Sequence, residues 1–433
     1  MPGTASAERD FMAEIVAAPR DDAPRLAFAD WLTQRGDPRG EFIRLQCASA
    51  SATPSAAQDP WQRADALLRR HEAAWVGELR ELLGAAGQAN YRPYTFHRGF
   101  VEELHVPADV FAAAADRLLA LAPLLRSVCF MRPPRGGAFD GALARAVASR
   151  PELAVLRRLR LCHLELGDEA CTGLLRSPHL HAPLELDLAN NALGPASVAA
   201  LLAAPFTAGH EAIDLWKNDI GDEGAALIAA SAPPRLRRLR LTYNRIGPRG
   251  AIALASSPRL GALEALDLAY DPIGDDGVCA LVGSETLTAL RGLQLYAVGL
   301  SFAGVSRLAA EPLLARIEDL NLGGNELGDR GLALLAASPH TRGLVHLDLE
   351  CSSVGDAGIE ALAQARDLGR LESLELRYNR IGDAGARALA TSARLPRLQE
   401  LDLAYNDILH EAELLARFPC ANIVGQSMRE ELR

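Results

Sequence analysis

The sequence predicts an α/β solenoid with a small all-α domain at its N-terminal end. Three observations point there. A strand-and-helix pattern recurs at almost constant spacing through more than half of the 433 residues. Hydrophobic residues make up 49% of the chain, mostly Leu and Ala, while aromatics are only 5%; this suits many similar elements stacked in series. The first 90 residues lack the repeat and carry helix punctuation instead.

The repeat is visible in three segments: LRRLRLTYNRIGPRGAIAL from Leu236, LEALDLAYDPIGDDGVCAL from Leu263 and LESLELRYNRIGDAGARAL from Leu371. All read LxxLxLxxNxIGxxGxxxL. The N position runs through Leu164, Asn191, Asn218, Asn244, Asp271, Val298, Asn325, Ser352, Asn379 and Asn406, with every step 27 residues except one of 26. Ten such units occupy residues 151–410.

Each part of a unit has a physical reason. The LxL core alternates with period two and predicts a short strand with Leu inward. The Asn side chain can serve backbone groups of the neighbouring turn, so a ladder of them would satisfy buried polar groups. Ile or Leu two residues on plugs the interior. Asp often follows the first Gly, as in Gly221-Asp222, Gly274-Asp275, Gly328-Asp329, Gly355-Asp356 and Gly382-Asp383, where it is expected to cap its own helix. The second Gly (Gly224, Gly250, Gly277, Gly304, Gly331, Gly358, Gly385) allows close packing of the helix start. Segments such as GAALIAAS and GLALLAAS are helix formers with one apolar face.

This pattern resembles the ribonuclease-inhibitor-like class of leucine-rich repeats. The resemblance implies a curved stack, because strands lie ~4.8 Å apart while helices need ~10 Å. Ahead of it, ERDFMAEIVAAP, DDAPRLAFADWLTQRG, GEFIRLQCAS and PWQRADALLRRHEAAWVGELRELL predict four helices. Asp21-Asp22 is the expected cap of the second, and Gly36-Asp37-Pro38 its end. Ser49 to Pro60 reads as a flexible loop. Residues 21–46 closely resemble the bacterial repeat-companion domain, with Arg25, Asp30, Trp31, Asp37, Arg39 and Glu41 carrying the likeness; Trp31 is expected in the core. That resemblance implies architecture and no activity. The domain plan is therefore 1–90 companion helices with linker, 91–150 irregular lead-in strands near Val101–Val106 and Leu125–Phe130, 151–410 repeats, and 411–433 a C-terminal cap.

The candidate site follows from the register. The position between the two strand leucines gives Arg160, Asp187, Asp214, Arg240, Asp267, Gln294, Asn321, Asp348, Glu375 and Asp402: six acids against two arginines. Tyr243, Tyr270, Tyr296, Tyr378, Tyr405 and Trp216 all fall one or two residues beyond the second leucine. Tyr and Trp beside charges compose protein-binding hot spots, although the same rings could pack along the strand ends. The expected partner-binding residues are these six rings with Asp187, Asp214, Asp267, Asp348, Glu375 and Asp402. The expected partner is a protein with a basic patch.

Other chemistries fare worse. The net charge of −10 gives no field for nucleic acid. Seven cysteines without CxxC spacing argue against a disulfide framework or zinc knuckle and for a reducing, cytoplasmic setting. No secretory signal and no apolar run of membrane-spanning length is found. His179 and His181 form an HxH pair, but His179 shares the loop register of Arg259 and His340, which argues against a metal site. Asp271, Asp275 and Asp276 lack the calcium-loop pattern. Cys162-His163 and His346 with Cys351 lack an orienting third group. No cofactor, metal or catalytic residue is assigned. The expectation is a non-catalytic, monomeric scaffold or regulator that binds a protein. The alternative is a GTPase-activating protein for a small GTPase, since Ran GTPase-activating proteins share the repeat class, on fold analogy alone.

Overall fold

The computed structural model describes residues 2–52, 54–84, 91–133, 137–181 and 185–425. They fall into two compact units, Met1–Asp187 and Leu188–Arg433.

The first unit opens with helices α1 (Pro2–Ala17), α2 (Ala23–Thr33), α3 (Pro38–Ser51) and α4 (Pro54–Leu82). A five-stranded sheet follows. β1 (Tyr94–His97) lies antiparallel to β2 (Phe100–Pro107), and β3 (Ser127–Met131), β4 (Arg158–Arg160) and β5 (Glu185–Asp187) continue parallel to β2. Helices α5 (Ala108–Leu121), α6 (Gly141–Ala148) and α7 (Gly167–Leu175) link the parallel strands. β2 and β3 fall where lead-in strands were expected. The stretch read as a loop is instead almost all helix: α3 runs to Ser51 and α4 starts at Pro54, while residue 53 lies outside the described residues. Composition misleads there because Pro54 sits in the first turn of α4, where its fixed φ suits a helix. Asp22 makes no side-chain cap; Asp21 Oδ1 accepts the Ala23 N–H at 2.9 Å instead.

The residues that carry the companion-domain likeness hold this unit together. Arg25 is fully buried. Its guanidinium donates to Glu102 at 2.8 Å and to the carbonyls of Pro19 (2.9 Å) and Arg98 (3.2 Å), fastening α2 to the sheet. Trp31 stacks on Phe28 with centroids 5.8 Å apart, against the core of Ile15, Phe28, Ile43 and Phe100. Asp37 caps α3 through the Arg39 N–H at 2.8 Å, Asp30 pairs with Arg44, and Glu41 with Arg63 at 3.1 Å.

The second unit is an eight-stranded parallel sheet in chain order: β6 (Ala212–Asp214), β7 (Arg238–Arg240), β8 (Ala265–Asp267), β9 (Gly292–Gln294), β10 (Asp319–Asn321), β11 (His346–Asp348), β12 (Ser373–Glu375) and β13 (Glu400–Asp402). Helices α8 (Pro195–Ala203), α9 (Gly221–Ser231), α10 (Pro248–Ala255), α11 (Gly274–Val282), α12 (Phe302–Ala310), α13 (Gly328–Ala337), α14 (Asp356–Ala363), α15 (Asp383–Thr391) and α16 (Ala412–Arg417) alternate with them. Strand leucines pair in register, as Leu293, Leu320, Leu347, Leu374 and Leu401 do. They are buried together with Ile246, Ile273 and Ile381. Beyond α16 the chain covers the last strand: Leu403 and Tyr405 donate to the carbonyls of Asn422 (2.7 Å) and Val424 (2.9 Å). Residues 426–433 of the expected cap lie outside the described residues.

The asparagine ladder is present, but its rungs alternate. Asn325 is typical of a full rung. Its Oδ1 accepts the N–H groups of Val298 and Leu300, and its Nδ2 donates to the carbonyls of Leu295 and Leu322. Asn218, Asn379 and Asn406 act similarly. All of these accept from a turn whose next glycine or serine has extended backbone: Gly194, Ser301, Gly355 or Gly382. In the intervening units the glycine is left-handed (Gly221 φ 60°, Gly274 φ 60°, Gly328 φ 57°). There the Ile273 and Leu327 N–H groups fold back on their own turn, to the carbonyls of Asp271 and Asn325. A side-chain acceptor from the next unit has no task at such a turn. Val298 and Ser352 stand at two of these idle positions, and at a third, Asn244, Oδ1 has no partner.

Asp271 occupies a working rung. It is fully buried, and its Oδ1 accepts from Asn244 (2.7 Å) and Ile246 (3.0 Å). Its Oδ2, where the other rungs carry an amide donor, has no partner. Burial pushes this carboxyl up to about 7, against the backbone N–H groups that favour the anion; nearby Asp267 adds to the rise.

The Asp after the first glycine does not cap its own helix. The residues at the start of α9, α11 and α13 make no such bond. Each carboxylate reaches the next unit instead: Asp222 accepts from Gly247 (2.7 Å) and Gly250 (2.8 Å), Asp275 from Ser301 (2.8 Å), Asp329 from Gly355 (2.6 Å), and Asp356 from Gly382 (2.7 Å) and Gly385 (2.8 Å). This explains the second glycine. A Cβ at Gly250 or Gly385 would sit 2.7 Å from that carboxylate oxygen.

Candidate functional site

Eleven of the twelve expected docking residues lie in the second unit; Asp187 ends β5 of the first. The strand acids have a structural duty. Asp214, Asp267, Asp348 and Asp402 each use Oδ1 to accept the N–H two residues on, at 2.9–3.0 Å. Asn321 does the same for Gly323 at 2.9 Å, so the turn requires an acceptor rather than a charge. The second oxygens are partly engaged too. Asp214 meets Arg240 at 3.3 Å, Asp348 meets Asn321 at 2.8 Å, and Asp402 meets Asn422 at 2.9 Å. The repetition of Asp along the strands is therefore explained first by the turn that follows each strand.

The rings form two stacks along the strand ends. Tyr243 and Tyr270 stack at 4.1 Å with planes 10° apart, and Tyr296 adds a tilted ring at 5.0 Å. Tyr378 and Tyr405 stack at 4.4 Å and 2°. Glycine ends each stack. A Cβ on Gly323 or Gly324 would lie 2.8 Å from the Tyr296 ring, and one on Gly425 would lie 2.5 Å from Tyr405. Tyr243, Tyr270 and Tyr378 remain 42–45% exposed. Packing and exposure thus coexist in the same rings. Tyr243, Tyr270, Tyr378 and Tyr405 hold left-handed backbone, with φ from 55° to 61°. Such a conformation costs a bulky residue about 1–2 kcal/mol, which stacking worth about 0.5–1.5 kcal/mol offsets. Lys217 and Arg240 lie 5.7 and 5.8 Å from the Trp216 ring.

Charge is unevenly distributed along the strand face. Over β10–β13 and the turns after them stand Asp319, Asp348, Glu350, Glu375, Glu400 and Asp402, against Arg377 as the one arginine. Over β6–β9 the arginines Arg238 and Arg240 with Lys217 face Asp214 and Asp267. Burial, then the neighbouring carboxylates Glu350 and Asp319, pushes Asp348 up; burial, then Asp402 and Asp348, does the same for Glu375. The β6–β9 half instead holds a hollow of about 320 Å³. Ala212, Ala265 and Gly292, at the first strand position, leave its floor open. Small residues in one row of the register were the signal that could have located it.

The residues considered for catalysis or metal binding have other duties. Ser177 receives the His179 N–H and donates to the Ala148 carbonyl, as Ser257 and Ser338 do in their own loops. Asp271 is sealed in the ladder while Asp275 accepts from the N–H of Ser301, the residue that caps α12, so they do not converge. Cys162 and His163 lie in the turn after β4 rather than on a strand. Burial, then Asp187, pushes the Cys162 thiol up to about 11, and burial raises Cys351 as well; neither is a ready thiolate. Among the described residues no three His, Cys, Asp or Glu side chains gather as metal ligands. No helix there is long and apolar enough to cross a membrane.

Residues 211–229, 234–255, 317–336, 343–363 and 371–390 match the leucine-rich repeat family. No curated protein matches the chain. Among solved structures it is similar to an internalin from Listeria monocytogenes (17% identity over 82% of this chain and 96% of that one, TM-score 0.43). It is also similar to the Rad7 and Elc1 complex from yeast (16% identity, 87% and 95% coverage, TM-score 0.48).

Proposed function

We propose, for a chain whose fold is a leucine-rich-repeat solenoid, that it is a non-catalytic scaffold or regulator that binds a protein partner through the strand face of its second unit. The observation that carries this is the acid-rich half over β10–β13, where six carboxylates stand against Arg377 alone, paired with Asp402 at 3.8 Å, beside the exposed Tyr378 ring. Burial raises the Asp348 and Glu375 carboxyls first, and neighbouring carboxylates add to the rise; a basic patch would relieve that second part. The rings would supply anchoring area and the acids would set the association rate. The partner's basic patch, a cytoplasmic setting, a monomeric state and a bacterial companion-type role for the N-terminal helices belong to the same reading. All seven cysteines are unbridged, as a reducing setting requires.

The test is affinity capture from the source organism with the native chain and with Glu350→Lys/Glu375→Lys in parallel. The expected result is a partner retained by the native chain, lost by the variant, and released steeply by salt. Its affinity should fall on acidification, because burial and then the neighbouring carboxylates raise Asp348 and Glu375 from their ordinary values and favour their uncharged forms. Identical capture by both proteins would refute the acidic half as the docking surface.

A further inference from the structure

We propose that the first unit carries a second docking site, a cleft between α3–α4 and the start of its sheet, which takes a carboxylate from an acidic peptide segment of a protein partner. The cleft has a volume of about 580 Å³. The argument begins with the residue before each parallel strand. In the second unit this row alternates in sign through Glu211, Arg237, Glu264, Arg291 and Glu318, and Arg237 pairs with Glu264. In the first unit the same register position reads Glu102, which lies inside β2, then Arg126 and Arg157. The pairing of Ser127 with Arg158 sets these two arginines side by side, and the Arg157 N–H donates to the Arg126 carbonyl at 2.7 Å.

The carboxylates nearest the two guanidiniums are engaged by other arginines. Glu102 is held by Arg25 at 2.8 Å, Glu103 by Arg160 at 3.0 Å, and Glu185 by Arg158 at 2.7 Å. Among the described residues neither Arg126 nor Arg157 has a carboxylate within ion-pair distance; each donates Nη1 to the carbonyl of the residue before it, at 2.8 and 3.1 Å. Burial, then the like charge of Arg157, lowers the Arg126 pKa from its ordinary value, against the smaller opposing effect of Glu102. Two further groups line the same cleft. Trp61 is 59% exposed, and Ser127 is buried with no partner for its hydroxyl.

This combination favours one occupant. Paired guanidiniums match a carboxylate, and Trp61 offers apolar area to the residue beside it. Glu102, Glu103 and Glu185 line the cleft as well, so a polyanion such as nucleic acid meets repulsion that a single carboxylate flanked by apolar residues avoids. The site is independent of the acidic face of the second unit and selects the opposite charge.

The probe is a fluorescein-labelled decapeptide with a Leu-Glu-Leu-Glu core, titrated with the full chain and read by anisotropy. Saturable binding is expected. Arg157→Glu, at an exposed side chain that the fold tolerates, should weaken it tenfold or more, Arg126→Gln and Trp61→Ala several-fold, and Glu375→Gln not at all. The proposal is overturned by absence of saturable binding, by unchanged affinity in Arg157→Glu, or by equal binding of a Leu-Lys-Leu-Lys peptide. Displacement of the peptide by inorganic phosphate or a single-stranded oligonucleotide at concentrations where unlabelled peptide fails would also overturn it.

Discussion

Replacing Asp271 by Asn should stabilise the protein at neutral and basic pH and leave it little changed in acid. The folded carboxyl titrates at about 7, against an ordinary value of 3.8. The folded state therefore binds this proton more tightly than the unfolded chain does. The contribution is complete below pH 3.8 and is lost as pH rises from 3.8 to about 7. At about 1.4 kcal/mol per pH unit, the loss above pH 7 comes to about 4 kcal/mol. In the register of the other rungs, an amide at residue 271 donates to the carbonyls of Leu268 and Leu241, while its oxygen keeps the Asn244 and Ile246 N–H groups. Asp271→Asn should thus recover most of the loss at pH 8, raising the unfolding midpoint by roughly 10 °C for a unit of this size. Thermal unfolding of both proteins by circular dichroism between pH 4.5 and 8.5 is the assay. All other titrating groups are shared, so the difference between the two curves isolates residue 271. Equal midpoints at pH 8, or a gap that does not narrow toward pH 5, would refute a ladder rung that needs a proton.

Asp356→Ala should cost about 1–2 kcal/mol, because Gly382 and Gly385 lose the carboxylate that caps α15; urea unfolding measures it, and no loss would contradict capping across units. Val298→Asn should change stability by less than about 1 kcal/mol, since the preceding turn already satisfies the Ile273 N–H through the Asp271 carbonyl. A gain comparable to that of Asp271→Asn would show that every unit needs a rung. Tyr378→Gly relieves left-handed strain while losing the stack on Tyr405. Its net effect on stability should stay below about 1 kcal/mol while affinity for the captured partner falls at least fivefold, and a stability loss without an affinity change would assign the ring to packing alone.

The elements legible in the sequence are those that depend on one property of a residue. Leucines recurring every 27 residues place strands and helices, because apolar burial needs only the right side chain at the right spacing. Two kinds of information were hidden. An Asp that ends a strand reads the same whether its charge serves a partner or its oxygen serves its own turn; only the Asn321 turn, closed by a neutral oxygen, separates the roles. The sign of φ is hidden too. Gly-Asp-Glu at 221, Gly-Asp-Asp at 274 and Gly-Asp-Arg at 328 take the left-handed turn, while Gly-Pro at 194 and 247 and Gly-Asp-Ala at 355 and 382 stay extended. Pro195 and Pro248 exclude helical backbone at the preceding glycine, and Gly alone enters the left-handed region without cost. From Gly221 to Gly355 the physical period is therefore two units, not one. On that period Val298 and Ser352 are not flaws in the ladder, because they stand where the preceding turn supplies its own acceptor. Asp271 stands where an acceptor is required: its Oδ1 meets that need, and burial of the unpartnered Oδ2 is what raises the carboxyl to about 7.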